Sequence, residues 1–451
     1  MKIITRVDEA VNAAIIPRGS RIYTSGNAAT PKLLLNQLAE DENIKDVELL
    51  SVLLLGDVGK VFEPSVCERI THRVIFNSHH SRDVVNNGLA RYQLMHLSDI
   101  PNQLEKYIRP NVVFLSVSGP DNGGNYSLGA TVEGVFSAVK AAKEQNGIII
   151  AERNKNMPFV LGTTIRKRHI DFLIDTDYEL PKSPVKQPDE KARRIAKIIA
   201  AMYIEDGATL QYGIGEVPEA VSDAIIDKGL KNLGIHTELF ADAMQKLVDA
   251  GSVSNKFLEN PFGVASIFLS GSNEGYKWLH FNSSVQSRPC DYTNSILKIA
   301  AQPKMVAVNS AIGVDLHGNI WADSLLARKI YSGVGGQSDF LRGAYLSDGG
   351  HPIIAMKAST EKGVSKIMDE CPKGITTTAI AADPVIIITE HGAFDPRGLS
   401  LAEHAVGIAH LADPDHRENL LRLIYDSGAY HKPKSALSEG RPKGFTPYET
   451  V

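Results

Sequence analysis

The stretch Leu210–Pro218 has the sequence LQYGIGEVP, and GIHTE follows it at Gly234–Glu238. The first segment is typical of a strand that ends in a glycine-rich turn and opens a helix, with Pro218 in the first helical turn. Backbone amides at such a turn bind anionic groups. Glu238 follows about twenty residues later, at the predicted end of the next strand, where open α/β sheets bind their ligands. The stretch therefore predicts an α/β fold with a ligand crevice beside Gly213.

Short apolar runs alternate with helical stretches along the rest of the chain. Residues 132–145 and 189–203 carry apolar side chains at helical spacing, whereas the intervening runs are continuously apolar. Continuous apolarity is typical of parallel strands that are covered on both faces. We therefore expect an α/β protein built from open sheets. The predicted strands are Arg21–Thr24, Val47–Leu55, Val112–Leu115, Met305–Val308 and Val385–Ile388.

Proline-rich segments predict the domain boundaries. Three prolines and no apolar periodicity at 180–188 indicate a linker, after which Asp189 starts a charged amphipathic helix. This gives an N-terminal α/β domain at 1–180 and a C-terminal domain at 189–431. Residues 432–451 hold three further prolines and are expected to form a surface tail.

The two halves contain similar segments in the same order. Gly19–Gly26 resembles Gly207–Gly213, and Asp121–Asn125 resembles Asp315–Asn319, with nearly equal separations. Loop residues match by chance often, but agreement in both order and separation favours a duplicated α/β unit. The crevice is then expected between two similar domains.

The composition excludes several classes of function. The 451 residues include 48 basic and 52 acidic ones, so nucleic acid and anionic membranes are not expected as partners. No apolar run has membrane-spanning length, and acids in the first nine residues do not fit a signal peptide. Three scattered cysteines predict no disulfide framework, and the 14 histidines lack metal-ligand spacing. We expect a cytoplasmic protein without a metal.

The residues around Gly213 and Glu238 leave two interpretations open. A dinucleotide site would use Glu238 for the ribose, but Pro218 stands where a third glycine belongs. Glu238 also suits the start of a helix, with Thr237 or His236 near the cap and the acid complementing the dipole.

A second glycine-rich segment, GVGGQSDFLRGA at Gly333–Ala344, extends the pattern. With the two segments that end at Pro218 and Glu238, it resembles the acetyl-CoA hydrolase/transferase family, in particular class I CoA-transferases of the 4-hydroxybutyrate and butyrate type. The resemblance covers nearly the whole chain. It includes Leu97–Pro101, Pro120–Gly129, Thr389–Gly392 and Arg397–Gly398.

The resemblance implies a ping-pong transfer of CoA between carboxylates, with Glu238 as the nucleophile. Asn294 and the amides of Gly335 and Gly336 are then the oxyanion donors. CoA and acyl-CoA are substrates, no cofactor is tightly bound, and a homodimer is expected. The resemblance assigns the pocket wall to Gly213, Ile214 and Gly215, and the CoA contacts to Gln337, Arg342 and Lys366, as well as Gly335 and Gly336.

Two departures from the family pattern concern the substrate. Ala381 stands where the family has an arginine, and Phe394 where it has a small residue. They predict a reshaped acyl or CoA pocket, so an itaconate acceptor with a succinyl-CoA or acetyl-CoA donor stands beside butyrate and 4-hydroxybutyrate. An acyl-CoA hydrolase on the same scaffold is the alternative. A nicotinamide-dependent oxidoreductase and a non-catalytic CoA sensor are more remote.

Overall fold

A computed structural model gives the fold for residues 1–184, 186–326, 328–428, 430 and 442–451. In the first half the strands are β1 (Lys2–Ile4), β2 (Arg21–Thr24), β3 (Val47–Val52), β4 (Ile70–Phe76), β5 (Arg91–Tyr92), β6 (Val112–Val117), β7 (Asn125–Ser127), β8 (Ile148–Asn154), β9 (Thr164–Arg166) and β10 (Phe172–Thr176). In the second half they are β11 (Thr209–Tyr212), β12 (Gly234–Ile235), β13 (Leu239–Ala241), β14 (Gly263–Ala265), β15 (Ile267–Leu269), β16 (Val285–Ser287), β17 (Met305–Asn309), β18 (Gly313–Asp315), β19 (Ile320–Trp321), β20 (Ser324–Leu326), β21 (Lys329–Ile330), β22 (His351–Ala355), β23 (Ile367–Met368), β24 (Ile386–Thr389), β25 (Gly392–Phe394) and β26 (Phe445–Pro447).

Helices alternate with the strands of both halves. They are α1 (Lys32–Glu40), α2 (Pro64–Cys67), α3 (Arg82–Asn86), α4 (Ile100–Gln103), α5 (Val135–Glu144), α6 (Glu190–Met202), α7 (Glu216–Asp227), α8 (Asp242–Asp249), α9 (Asn273–Leu279), α10 (Cys290–Thr293), α11 (Ile296–Ala300), α12 (Gln337–Leu346), α13 (Leu401–Ala409) and α14 (Pro414–Asp426). No helix in the described part of the chain has both the length and the apolar character that a bilayer crossing needs.

The first half builds a parallel sheet in the order β1-β10-β8-β6-β2-β3-β4-β5. The chain moves outward from β2 to β3 on one side and returns to β6 on the other. The strand order therefore reverses at β2, and ligands bind at such a switch point in open α/β sheets. Every residue of β6 is buried, as the continuous apolar run predicts.

The second half builds a sheet in the order β12-β11-β17-β22-β24-β25-β26. Its strands β12, β11, β17, β22 and β24 are parallel to one another, and the strand order reverses at β11. The prediction of a two-domain α/β fold with open, largely parallel sheets is confirmed. Strand β26 pairs antiparallel with β25. The prediction of a surface tail is therefore wrong for Phe445–Pro447, while residues 431–441 lie outside the described residues.

The similar loops of the two halves have the same hydrogen bonds. Asp121 Oδ1 accepts from the amides of Gly123 and Asn125, at 2.9 and 2.8 Å. Asp315 Oδ1 accepts from the amides two and four residues later, at 3.0 and 2.9 Å. The shared Asp turn supports the inference that the unit is duplicated.

Helix α6 begins where the sequence predicts it. The Asp189 carboxylate accepts a 2.9 Å hydrogen bond from the Ala192 amide and so caps the helix. Ile195, Ile198 and Ile199 are buried at helical spacing in the core of the second half. The proline-rich segment before α6 thus leads directly into a helix packed against the second sheet.

Candidate active site

Glu238 lies at the edge of the second sheet, beside the turn that follows β11. Strands β11 and β12 are parallel neighbours, so their carboxyl ends bring Gly213 and Glu238 to the same edge. The Glu238 carbonyl accepts hydrogen bonds from Ser266 and Ile267, at 3.0 and 2.9 Å. Helix α8 begins only at Asp242. The alternative in which Glu238 starts a helix is therefore wrong.

A cavity of about 640 Å³ opens at this edge and is lined by residues of both halves. Its lining includes the turn Gly213–Gly215, Glu238 and the glycine-rich segment Gly333–Gly336. Gly215 has φ of 122°, a conformation that favours glycine, and α7 begins directly after it. The first half contributes Asn27, Val52, Leu53, Phe76, Leu97 and Glu133.

The Glu238 carboxylate is held by two donors. Asn294 Nδ2 donates to Glu238 Oε2 at 2.7 Å, and the Gly336 amide donates to the same carboxylate. Asn294 is fully buried, and its Oδ1 accepts from Thr293 Oγ1 at 2.8 Å. That second bond fixes the amide so that its NH₂ group faces Glu238. Donors arranged in this way also suit an oxyanion formed next to the carboxylate.

Two adjacent glycines are required here for different reasons. Gly335 has φ of 63°, and its carbonyl accepts from the Leu97 amide at 3.0 Å. At Gly336 the requirement is steric, because an added Cβ would lie 2.0 Å from both Asn294 Nδ2 and Glu238 Oε2. Helix α12 begins at the next residue, so its positive end faces the carboxylate.

The surroundings raise the pKa of Glu238 to about 7. Burial is the main cause, and the charge of Asp339 adds to it, whereas the bonds from Asn294 and Gly336 oppose it. His236 is buried behind the site, where its Nε2 is 2.8 Å from the Thr293 carbonyl. Burial lowers the pKa of His236 to about 4, so it is neutral. No cation neutralises Glu238 directly among the described residues.

If Glu238 is the nucleophile, as the resemblance implies, the rate of the chemical step should rise with pH through about 7, because only the ionised carboxylate attacks. Asn294→Ala removes a hydrogen-bond donor to the ionised carboxylate and so raises the pKa of Glu238. The rising part of the pH profile, its acid limb, should therefore move to higher pH. The same change should lower kcat by roughly 100-fold, since one oxyanion donor contributes ~3 kcal/mol. Asp339→Asn removes a repelling charge and should move the limb to lower pH. Profiles of kcat/KM against pH for the three enzymes test this. A limb that moves in the opposite direction in either variant would contradict it.

The candidate CoA contacts differ in their placement. Lys366 lines the cavity, and burial with the nearby charge of Lys357 lowers its pKa. Gln337 also lines the cavity, but its amide donates to the Ser310 carbonyl and accepts from Thr378 Oγ1, at 2.6 and 2.7 Å. Arg342 is not among the lining residues and lies 3.9 Å from Asp383. The geometry thus favours Lys366 over the other two.

Two lysines that the sequence analysis missed also line the cavity. Lys186 is exposed on the segment before α6, and Lys357 follows β22. Lys357 Nζ is held by Asp189 and Glu216, at 2.7 and 2.6 Å. Glu216 also lines the cavity, so Lys357 is already paired there, and Lys186 and Lys366 are the lysines of this side that suit phosphate groups. No local motif marks these lysines, because distant segments bring them together.

The two departures from the family pattern lie away from the cavity. Phe394 is fully buried, and its ring contacts His404 and the backbone of Gly407. The Ala381 amide donates to Asn319 Oδ1 at 3.1 Å, and Ala381 does not line the cavity. The prediction that Phe394 shapes a substrate pocket is therefore not supported, because its side chain belongs to the core of the second half.

In the part of the chain that the structure describes, one group of potential metal ligands occurs at Glu390, His391 and Asp413. The ammonium group of Lys191 already lies 2.6 Å from Glu390 Oε1 and 3.8 Å from Asp413 Oδ1. His391 Nε2 is 2.8 Å from the same Asp413 oxygen. The chain thus supplies the cation of this cluster itself, and the expectation of no metal stays a prediction.

Residues 2–183 match the model of the acetyl-CoA hydrolase/transferase N-terminal domain, and residues 271–424 match that of its C-terminal domain. The chain is 33% identical to the 4-hydroxybutyrate coenzyme A transferase of Clostridium kluyveri, over 93% of this chain and 96% of that protein. It is 30% identical to the butyryl-CoA:acetate CoA-transferase of Anaerostipes caccae, over 93% and 95% of the two chains. The crystal structure of RipA from Yersinia pestis superposes with a TM-score of 0.86 at 29% identity, over 93% of this chain and 96% of that one.

Proposed function

The chain belongs to the acetyl-CoA hydrolase/transferase family, and we propose that it transfers CoA between carboxylic acids through a thioester on Glu238. It is a CoA-transferase whose substrates are small acyl-CoA and carboxylate molecules. We propose that its acceptor is an acid of the butyrate, 4-hydroxybutyrate or itaconate type, with acetyl-CoA or succinyl-CoA as donor.

One observation carries the proposal, namely the contact set of the Glu238 carboxylate. It lies in the cavity with the Asn294 amide at 2.7 Å and the Gly336 amide as a second donor. A carboxylate that is partly desolvated, with a pKa of about 7, is more basic than an ordinary glutamate. It remains ionised above that pH and can attack a thioester.

In the first half-reaction a Glu238 oxygen attacks the acyl-CoA carbonyl carbon. Asn294 Nδ2 and the Gly335–Gly336 amides are suited to bind the oxyanion that forms. The C–S bond then breaks, which releases CoA thiolate and leaves an acyl-glutamyl anhydride. The thiolate attacks the Glu238 carbonyl carbon of the anhydride, so that a glutamyl-CoA thioester forms and the first acid leaves as a carboxylate.

In the second half-reaction the acceptor carboxylate attacks the thioester. CoA thiolate leaves again, and an anhydride between the acceptor and Glu238 remains. The thiolate then attacks the acceptor's carbonyl carbon, which gives the new acyl-CoA and restores the Glu238 carboxylate. No proton is consumed in the cycle, and each anhydride conserves the free energy of the thioester.

Hydrolysis is the second candidate function, because the matched family includes acetyl-CoA hydrolases by its own description. Water would then capture the anhydride or thioester in place of a second carboxylate. Leu53, Phe76 and Ile267 are apolar residues of the cavity lining, whereas Asn27 and Glu133 are polar ones. The reaction with acetyl-CoA alone separates the two functions.

Incubation with acetyl-CoA alone tests the proposal. We expect a burst of acetate that matches the amount of enzyme, and a glutamyl-CoA adduct on the peptide that contains Glu238. Hydroxylamine should convert the adduct to a hydroxamate, and mass spectrometry should locate it. Steady release of CoA with no adduct would instead support hydrolysis. An adduct on another residue would show that Glu238 is not the nucleophile.

A further inference from the structure

His236 is a buried side chain that the proposed transfer does not use, although it stands two residues before Glu238. It follows β12, and only 2% of its surface is exposed. In the described part of the chain it is not among the residues that line the cavity. An effect of His236 on the reaction is therefore exerted through other residues.

The His236 ring holds the end of the helix that precedes Asn294. His236 Nε2 lies 2.8 Å from the carbonyl oxygen of Thr293, the last residue of α10. A carbonyl oxygen only accepts hydrogen bonds, so Nε2 carries the hydrogen of the neutral ring and donates this bond. Helices leave their last carbonyls without intrahelical donors. His236 therefore supplies a donor that the end of α10 lacks.

Helix α10 is too short to fix Asn294 by itself. It has 4 residues, Cys290–Thr293, and a single helical turn is not stable without tertiary contacts. The Thr293 hydroxyl donates to Asn294 Oδ1 at 2.8 Å, while the Thr293 carbonyl accepts from His236. Thr293 thus links the imidazole of His236 to the side-chain amide of Asn294.

The other end of this link is anchored to the second half of the protein. The His236 amide donates to the Leu210 carbonyl in β11 at 3.2 Å, and the Thr237 amide donates to the Val264 carbonyl in β14 at 3.0 Å. Backbone bonds thus fix the residues on the amino side of Glu238. The side-chain bond from His236 ties α10 to this segment, so it sets Asn294 relative to Glu238.

The His236 ring also packs between the elements that carry the two donors to the carboxylate. Its centroid lies 6.2 Å from that of Tyr292 in α10 and 6.3 Å from that of Phe340 in α12. Ring pairs interact at such distances. Asn294 directly follows α10, and Gly336 directly precedes α12. The ring is therefore placed to hold both elements at the site.

We propose that His236 is a positioning residue, which keeps Asn294 directed at Glu238 by holding the Thr293 carbonyl. The inference rests on the proposed transfer function and adds a residue that assists it without contacting substrate. When the bond from His236 is lost, Asn294 is free to turn away from the carboxylate and from the oxyanion that forms beside it. The rate of the chemical step depends on the alignment of that donor.

The matched pair His236→Gln and His236→Met tests this role. Glutamine has an Nε2 donor at the same number of bonds from Cα as histidine, whereas methionine adapts its shape to the space but donates nothing. In His236→Met the rate of adduct formation from acetyl-CoA should fall by about 10-fold or more. The acetyl-CoA concentration that gives half of the maximal rate should stay the same, because His236 does not line the cavity. His236→Gln should keep most of the rate.

The pH profile separates positioning from a loss of stability, because its acid limb does not depend on the fraction of folded enzyme. In His236→Met the bond from Asn294 to the ionised Glu238 is weakened, so the limb should move to higher pH. In His236→Gln it should stay in place. Burial keeps His236 neutral, and the charges of Lys298 and Glu259 act on its pKa in opposite directions, so its loss removes no charge. The other ionisable groups that interact with Glu238 are the same in every variant, namely Asp339, Glu133 and Cys290.

Two further variants complete the test. The double variant His236→Met/Asn294→Ala should have the rate and the acid limb of Asn294→Ala alone, because His236 acts through Asn294. His72→Met is the control for loss of a buried histidine. His72 lies in β4, away from the cavity lining, and burial lowers its pKa to about 4, like that of His236. Its loss should change thermal unfolding but leave the acid limb in place.

Three outcomes would overturn the positioning role. They are an acid limb that does not move in His236→Met, one that moves as far in His236→Gln or His72→Met as in His236→Met, and a double variant in which the two losses of rate multiply. Absence of the Glu238 adduct in the unchanged enzyme would overturn the transfer function instead, which separates the two failures.

Discussion

Glu238→Gln is expected to lower the rate of CoA transfer by about 10⁴-fold or more. The substitution keeps the size of the side chain, and its amide oxygen can still accept from Asn294 Nδ2. An amide cannot attack a thioester to form an anhydride, so both half-reactions stop at the first step. Rapid-quench measurement of acetate after mixing with acetyl-CoA should show no burst, and mass spectrometry should find no adduct.

Glu152→Gln is the matched control for loss of a buried acid. Glu152 lies in β8 of the first half, away from the cavity, and burial raises its pKa to about 7, like that of Glu238. It accepts hydrogen bonds from the Leu34 amide and the Tyr178 hydroxyl, at 2.8 and 2.5 Å. Its loss should affect the free energy of unfolding but leave the acetate burst. A burst that persists in Glu238→Gln would assign the nucleophile to another residue.

The part of this site that could be predicted from sequence is the part made by neighbouring strands. Segment Leu210–Pro218 forms a strand, a turn and a helix in the predicted order, because its apolar run, glycines and proline have local conformational preferences. Glu238 follows β12, next to β11, so its placement at the Gly213 turn follows from parallel pairing. Such relationships between adjacent strands are encoded over short distances of sequence.

The wall contributed by the first half could not be predicted in this way. Glu133 reaches Glu238 only through the contacts of its backbone with Ser266 and Cys290, more than a hundred residues away in sequence. Its neighbours in sequence predict only the start of an ordinary helix in the stretch 132–145. The signals that reveal it are tertiary, namely burial, positive φ and an oxygen without a partner.

Phe394 is a residue for which the sequence predicts a role in the substrate pocket that the structure does not support. A ring in place of a small residue could fill a substrate pocket or a core, and local sequence does not separate the two. The structure places the ring against Gly407, where an added Cβ would lie 2.2 Å from it. The extra volume at Phe394 is thus accommodated by a glycine of α13 rather than by the active site.

Gly336→Ala is expected to lower kcat by about 100-fold or more with little change in the free energy of unfolding. The new Cβ would lie 2.0 Å from Asn294 Nδ2 and Glu238 Oε2, far inside contact distance. Both atoms are ends of side chains, so the protein can relieve the clash by moving them. That movement displaces the proposed nucleophile and a proposed oxyanion donor together, and an error of about 1 Å in such positions costs about 10²-fold in rate. The rate of adduct formation from acetyl-CoA, measured beside thermal unfolding, gives both quantities.

Gly343→Ala in the same helix α12 separates a steric effect on stability from one on chemistry. A Cβ at Gly343 would lie 2.5 Å from Ile299 Cβ and Cγ2, and Ile299 is fully buried in the core. These atoms cannot rotate away, so overpacking should destabilise the protein by about 1–3 kcal/mol while the remaining folded enzyme keeps its rate. The two variants should therefore show opposite patterns, with activity lost at Gly336 and stability lost at Gly343. Equal losses of stability, with activity falling only in proportion to unfolding, would mean that Gly336 serves helix packing rather than the geometry of Glu238.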